Sequence, residues 1–204
     1  GWDNFVEFAG LDQIFVTSVK TEKNQDAVGL NLVQLGELRG KDPYDATFDL
    51  LYEEENAVGM VDFYGTEEHV QLFMKRPEMN ACTDGLLGGK PHPRVYGAFP
   101  RILGKYVRED KALTLEEAVY KMTKKPATAF NMTDRGELRE GAYADITIFN
   151  PETVIDKGTF TDPIQYPEGI EYVMINGELV VKNGAHTGVR NGVVLRKKGK
   201  EVVK

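Results

Sequence analysis

The sequence predicts an α/β fold that gives way to a small all-β unit. Three observations carry this. Apolar residues over 42–84 alternate helix, strand, helix, strand, the pattern of βα units and parallel pairing. At about residue 135 the period changes, and short β-branched runs separated by turn pairs replace the helical stripes. Between the two, an apolar run from Met79 ends in Cys82-Thr83-Asp84-Gly85. A Gly-rich loop follows (Gly85, Gly88, Gly89), then Pro91-His92-Pro93-Arg94. A carboxylate at a strand tip, with His and Arg on the next loop, is how a barrel enzyme presents its chemistry. The carboxyl edge of a parallel sheet is also where such sheets bind ligands. Asp-Gly is equally a common turn pair, so the residues alone leave a capped turn and a site both open.

Composition narrows the classes. The chain has 204 residues, 41% apolar and 28% charged, with a net charge of −7. That is an ordinary globular composition and allows one large domain or two small ones. The negative balance argues against nucleic acid as a partner, because phosphate binding needs clustered Lys and Arg. The one basic cluster, Lys197-Lys198 with Lys200 and Lys204, reads as a solvated tail. A single cysteine, Cys82, excludes an intrachain disulfide, and its apolar run predicts a buried thiol. No run of about 18 apolar residues marks a membrane span, so no membrane partner is expected. No secretion signal opens the chain, which makes a cytoplasmic location the default. The chain begins in mid-pattern at Gly1-Trp2-Asp3 without an initiator Met, and reads as a piece of something longer.

The elements follow in order. Phe5 to Phe8 and Ile14 to Val19 read as short strands, and Thr21 to Asp26 as a polar loop. Leu30 to Leu38 reads as a helix with Asn31 as cap and Gly40 as stop. Pro43 opens the next helix, with Tyr44, Thr47, Phe48, Leu51 and Tyr52 along one face and Glu53-Glu54-Glu55 ending it on the solvent side. Val58 to Phe63 is nearly continuous in apolar residues, as a parallel strand covered on both faces would be. Thr66 caps a helix with Val70, Phe73 and Met74 inward, and Met79 to Cys82 is the next strand. Beyond the loop, Phe99, Ile102, Leu103, Tyr106 and Val107 form a helical stripe. Thr114 to Glu117 is a capping box for a helix with Leu115, Ala118, Val119 and Met122 inward, broken at Pro126 and followed by a turn at Ala127 to Phe130. Ala144 to Phe149 is a strand, and Pro151 to Pro167 a long connection. Tyr172 to Ile175, Asn176-Gly177 and Glu178 to Val181 form a two-residue hairpin. Asn183-Gly184 and Asn191-Gly192 add turns, and Val193 to Arg196 a last strand. So few short strands bury little surface and need other elements to pack against.

Two segments carry a family resemblance. One runs from Thr83-Asp84-Gly85 through Pro91-His92-Pro93-Arg94-Val95-Tyr96-Gly97-Ala98-Phe99-Pro100-Arg101. The other joins Asp134-Arg135-Gly136-Glu137-Leu138 and Glu140-Gly141-Ala142-Tyr143-Ala144-Asp145-Ile146 to Tyr166-Pro167-Glu168-Gly169-Ile170-Glu171-Tyr172-Val173 and Asn176-Gly177. Over nearly the whole chain these resemble the C-terminal half of the N-acyl-D-amino-acid deacylases (D-aminoacylases) of the amidohydrolase superfamily. The Arg-Gly, Glu-Gly, Ala-Asp pattern is shared with dihydroorotases and dihydropyrimidinases. The His-Pro-Arg and Tyr-Pro-Glu-Gly-Ile-Glu runs are narrower.

The resemblance implies a partial TIM barrel, the last βα units of an amidohydrolase barrel, over residues 1–134. A portion of a small β-sandwich follows over 135–204. It implies that Asp84 takes a proton from a metal-bound water and passes it to the leaving amine. It implies that Arg94 holds the substrate's α-carboxylate, with Tyr64 and His92 lining the same pocket. The family's cofactor is Zn2+, held by a His-x-His, a bridging Cys or acid and further histidines. This chain has only His69, His92 and His186. His69 reads as a surface helix residue, His186 as a turn residue, and His92, between prolines, as part of a shaped loop. They cannot close a zinc site, which needs about three protein ligands. Cys82 could point with Asp84, itself at most a weak ligand, but two ligands are too few. The chain alone is therefore expected to bind no metal and to be inactive. Two readings follow: part of an enzyme hydrolysing N-acyl-D-amino acids, or a non-catalytic, self-associating module or half of a split dihydroorotase- or dihydropyrimidinase-type enzyme. Unpaired barrel edges imply a homo-oligomer or a missing N-terminal half.

Overall fold

The computed structural model describes residues 4–88, 91–160 and 162–196. Gly1-Trp2-Asp3, Gly89 and the basic cluster at 197–204 lie outside the described residues. The fold is mixed helix and sheet, and its contacts divide into two compact units. One comprises the described residues within 1–70, 86–92 and 160–162, the other those within 71–85, 93–159 and 163–204.

The first unit is built on three helices and a strand pair. Helix α1 (Phe5–Ala9) stands where the sequence reads as a strand. The Asn4 side chain accepts from the Val6 amide at 3.0 Å, and the Phe5 and Phe8 rings, three residues apart, meet edge to face at 5.4 Å. Cap and i, i+3 pair override the β propensity of the phenylalanines. Strand β1 (Ile14–Ser18) is as expected, and a 3₁₀ turn at Glu22–Ala27 replaces the expected loop. Helix α2 (Leu32–Arg39) has the expected Asn31 cap, completed by Gln34 into a capping box, and ends at Gly40 in the left-handed region at φ 61°.

Helix α3 (Pro43–Glu53) turns the opposite face inward from the one its aromatic stripe predicts. Ala46 and Leu50 are buried, while Tyr44, Phe48 and Tyr52 are exposed. The cause is the close approach of α2, where a Cβ on Gly36 would stand 3.0 Å from Pro43 Cα. Strand β2 (Gly59–Asp62) pairs with β1 antiparallel, with Ile14 opposite Asp62 and Val16 opposite Met60. This corrects the expected parallel pairing. Met60 faces outward and is exposed, so the apolar run does not mark a strand covered on both sides. Ile14, Val16, Ala27, Leu32, Leu35, Ala46 and Leu50 form this unit's core.

Glu54 corrects a further expectation. It lies fully buried, not on the solvent side. Its carboxylate accepts from the Lys20 amide at 2.5 Å, the Thr21 amide at 2.8 Å, the Thr21 hydroxyl at 2.5 Å and the Asn24 amide group at 2.6 Å. A buried carboxylate needs such a set of donors. Led by the Thr21 hydroxyl bond, and against the opposing effect of burial, they hold its pKa down to about 2.

Helix α4 (Glu67–Lys75) starts at Thr66, whose hydroxyl accepts from the His69 amide at 3.3 Å. Of its predicted inward residues Met74 is buried, whereas Val70 and Phe73 are exposed. In the second unit, Met79–Cys82 is not a strand. The segment is irregular, tied by the Ala81 amide to the Lys121 carbonyl at 3.0 Å, with no neighbouring strand among the described residues. Helix α5 (Arg94–Arg101) runs into a π-helical segment, Ile102–Glu109. This places the predicted Ile102, Leu103 and Tyr106 in the core. Helix α6 (Leu115–Met122) has the predicted capping box. Ala118 is buried, but Val119 lies outside and Lys121 inside, where its ammonium donates to the Arg76 carbonyl at 2.5 Å. Helix α7 (Lys124–Ala129) contains Pro126 in its first turn, where no amide bond is lost, so the break falls at Thr123 instead.

The β part is one antiparallel sheet ordered β3-β4-β5-β6, comprising Ile146–Phe149, Ile170–Ile175, Glu178–Lys182 and Ala185–His186. The predicted hairpin joins β4 to β5, with Asn176 and Gly177 both at positive φ, 49° and 86°. Residues 193–196 form no strand, and the chain just before them is tied at Asn191, whose carbonyl accepts from the Asn176 side chain at 2.9 Å. Arg135 pairs with Asp145, bonds Asn176 Oδ1 at 2.7 Å and stacks on Tyr143 at 4.1 Å, and Asp145 Oδ1 accepts from the Asn176 amide at 2.8 Å. The Arg-Gly, Ala-Asp and Asn-Gly pieces of the family pattern are thus one structural network. No helix among the described residues is long and apolar enough to cross a membrane.

Two expectations follow. Glu54→Gln removes a charge that four donors are aimed at, and lowers the urea midpoint. Because the folded pKa lies below the ordinary carboxylate value, the wild-type stabilisation is fully present above pH 4.5 and is lost as pH falls toward 2, so the two proteins converge in acid. A constant gap from pH 6 to pH 2 would contradict this. Gly177→Ala puts a Cβ at φ 86° and costs about 1–2 kcal/mol of unfolding free energy, read by chemical denaturation.

Candidate active site

The site is assembled at the junction of the irregular 79–85 segment and helix α5. Asp84 sits at φ 47°, a left-handed conformation that Asp tolerates better than most residues. The Gly85 amide turns back to Thr83 Oγ1 at 3.2 Å. Gly85 then passes so close to α5 that a Cβ there would stand 3.0 Å from Val95 Cα. That contact brings residue 84 to the N-terminus of α5 and to Arg94. Arg94 Nε donates to the Asp84 carbonyl at 3.0 Å, and Arg94 Nη2 pairs with the Asp84 carboxylate at 2.9 Å.

The pair is open to solvent, with 81% of the Asp84 side chain and 43% of the Arg94 side chain exposed. An exposed ion pair contributes about 1 kcal/mol or less to stability. It sets a carboxylate, a group able to exchange protons, beside a planar guanidinium, a group able to bind anions, both reachable from water.

The remaining candidates fall elsewhere. Tyr64 belongs to the first unit, 63% exposed, its ring edge to face with Phe8 at 5.4 Å. His92 also belongs to that unit, its ring 5.0 Å from Phe160. Cys82 is exposed, not the buried thiol its apolar run predicts, because no strand forms there to cover it. His69 is exposed on α4 and His186 accepts from the Gly188 amide at 3.0 Å in its turn. Among the described residues no group of three or more His, Cys, Asp or Glu could hold a metal ion. The described residues do not fit a metal centre by themselves.

Sequence reasoning missed the support behind Arg94. Asp156 pairs with Arg101 at 3.2 Å and is only 8% exposed. Gly97 lies against it, so that a Cβ there would stand 2.7 Å from Asp156 Cβ. Burial works against the Arg101 charge, but Asp156 and Tyr106 outweigh it and raise the guanidinium pKa above its ordinary value. A glycine in the interior of a helix was the available signal, since it costs about 1 kcal/mol against Ala and so points to a close approach.

Comparison with known proteins gives this geometry a lineage. Residues 82–181 match the Amidohydrolase family. A D-aminoacylase of Alcaligenes xylosoxydans xylosoxydans is 38% identical over 168 residues, covering 82% of this chain and 34% of that protein. An N-acyl-D-glutamate deacylase of the same organism is 41% identical over 140 residues, covering 68% of this chain and 28% of that protein. The solved N-acyl-D-glutamate deacylase of Bordetella bronchiseptica, complexed with zinc and a phosphonate mimic of the reaction's tetrahedral intermediate, superposes with a TM-score of 0.77 at 34% identity, covering 87% of this chain and 36% of that one. The chain thus spans about a third of the length of the curated relatives it matches. By sequence and by fold, it is a relative of the D-aminoacylases and N-acyl-D-glutamate deacylases among the amidohydrolases.

Proposed function

We propose that this chain is the C-terminal portion of a metal-dependent amidohydrolase that hydrolyses N-acyl-D-amino acids to a D-amino acid and a carboxylate. One observation carries the reading: Asp84 and Arg94, the two residues with matching chemistry, stand 2.9 Å apart and open to water. The carboxylate takes a proton from the attacking water and delivers it to the amide nitrogen as the C–N bond breaks, so that amine leaves neutral. The guanidinium fork receives the substrate's α-carboxylate in two parallel hydrogen bonds. With one group fixed on the α-carboxylate and another on the leaving nitrogen, the configuration at the intervening carbon decides where the side chain goes. Tyr64 and His92 are proposed to line that substrate pocket.

On the same reading, residues 1–134 are the last βα units of a partial TIM barrel and 135–204 a share of a β-sandwich. The zinc of the full-length family is held by residues outside this chain, and the isolated chain is inactive. The dihydroorotase- or dihydropyrimidinase-type alternative, and the non-catalytic module, are not favoured, since the relatives above share the narrower deacylase relationship.

Joining the chain to the N-terminal portion of a D-aminoacylase tests this. The expected product hydrolyses an N-acetyl-D-amino acid and not its L-enantiomer. Asp84→Asn lowers kcat by about 10³-fold with KM little changed. Arg94→Lys, which keeps the charge but loses the fork, mainly raises KM. Unaltered turnover in Asp84→Asn would sink the assignment.

A further inference from the structure

Three glycines clear a path for one short segment. A Cβ on Gly97 would meet Asp156 Cβ at 2.7 Å, one on Gly104 would meet the Val154 carbonyl at 2.5 Å, and one on Gly169 would meet the Val154 amide nitrogen at 2.5 Å. The segment 151–156 is fixed by further bonds beyond its contacts with α5. Arg108 Nη1 donates to the carbonyls of Val154 at 2.6 Å and Pro151 at 3.2 Å, the Val154 amide bonds the Asn150 carbonyl at 2.9 Å, and Ile155 and Glu168 exchange backbone bonds at 3.3 and 3.1 Å. It forms a bracket along α5 and the π segment.

Asp156 is the one charged side chain this bracket sets against α5, through Gly97 and Arg101. Arg94, Gly97 and Arg101 stand at i, i+3 and i+7, one face of the helix. The contact at Gly97 is thus a single turn from Arg94. A helix gripped sterically at its middle and by charge at its far end cannot slide or rotate without moving its first residue.

We propose that Asp156 is the positioning residue for Arg94. It sets α5 so that the guanidinium fork meets residue 84, and so prepares the fork for an anionic substrate. The second half rests on the reading of Arg94 as the carboxylate clamp. The test separates the two on the whole 204-residue chain, labelled with ¹⁵N, by following the Arg94 Nε–H signal, identified by its loss in Arg94→Lys.

In the wild type this proton is hydrogen-bonded to the Asp84 carbonyl, and its exchange is expected to be slower than in the variants. Asp156→Asn and, from the other side of the same contact, Gly97→Ala each shift the signal and speed its exchange about tenfold. Leu113→Ala, which loosens the same unit's core without touching α5's grip, leaves it in place. An unmoved Arg94 Nε–H in folded Asp156→Asn and Gly97→Ala overturns the proposal.

Titration with sodium acetate then addresses the clamp. A wild-type Arg94 response that is about tenfold weaker in Asp156→Asn supports both statements. No wild-type response overturns the clamp while the shift on substitution upholds the positioning. An equal response in both proteins overturns the positioning.

Discussion

Arg94 holds residue 84 at two points, the backbone carbonyl at 3.0 Å and the carboxylate at 2.9 Å. The rest of the second unit is arranged so that this can happen. Gly85 must lack a side chain to let the loop reach Val95. Lys121 buries its ammonium to catch the Arg76 carbonyl, and its own carbonyl accepts from the Ala81 amide, which fixes the stretch leading to Asp84. Asp156 and Gly97 fix the helix on the other side. Two exposed charges add little to stability. The surrounding restraints therefore make most sense as the means of keeping this pair, proposed as the site of the chemistry, in register.

Much of this was legible where the sequence writes its signals locally. The Asn31 cap, the Thr114 capping box, the Gly40 stop and the Asn176-Gly177 turn are each decided within a few residues, and all are present. Features that depend on distant partners were not. Met79–Cys82 has strand composition, but no neighbouring strand is there to pair with it among the described residues. The aromatic stripe of α3 obeys the helical period yet faces outward, because it is Ala46 and Leu50 that pack into the core with Leu32 and Leu35 of α2. Glu54 sits in a run of three acids and looks like solvent-facing charge; its burial depends on Thr21 and Asn24, thirty-odd positions upstream.

The same distinction holds at the site. Asp84 and Arg94 are ten residues apart in a stretch whose pattern already pairs them, and their meeting was readable. Asp156, 55 positions from its partner Arg101, was not. Likewise Arg135, Asp145 and Asn176, read as family signature, act together as a bolt between the β3 lead-in and the β4–β5 turn. Their role is architectural, whereas the exposed and weakly stabilising pair is where chemistry is proposed.

The adjacency of residue 84 and the start of α5 can be measured directly. Cys82 is the only cysteine and is exposed, so a nitroxide can be attached two residues before Asp84 without further substitution. Paramagnetic broadening of the amide signals is then read along α5. The account predicts that the signals of residues 94–97 are lost in the labelled protein and return on reduction of the label. Sharp, unaltered signals at 94–97 would contradict it.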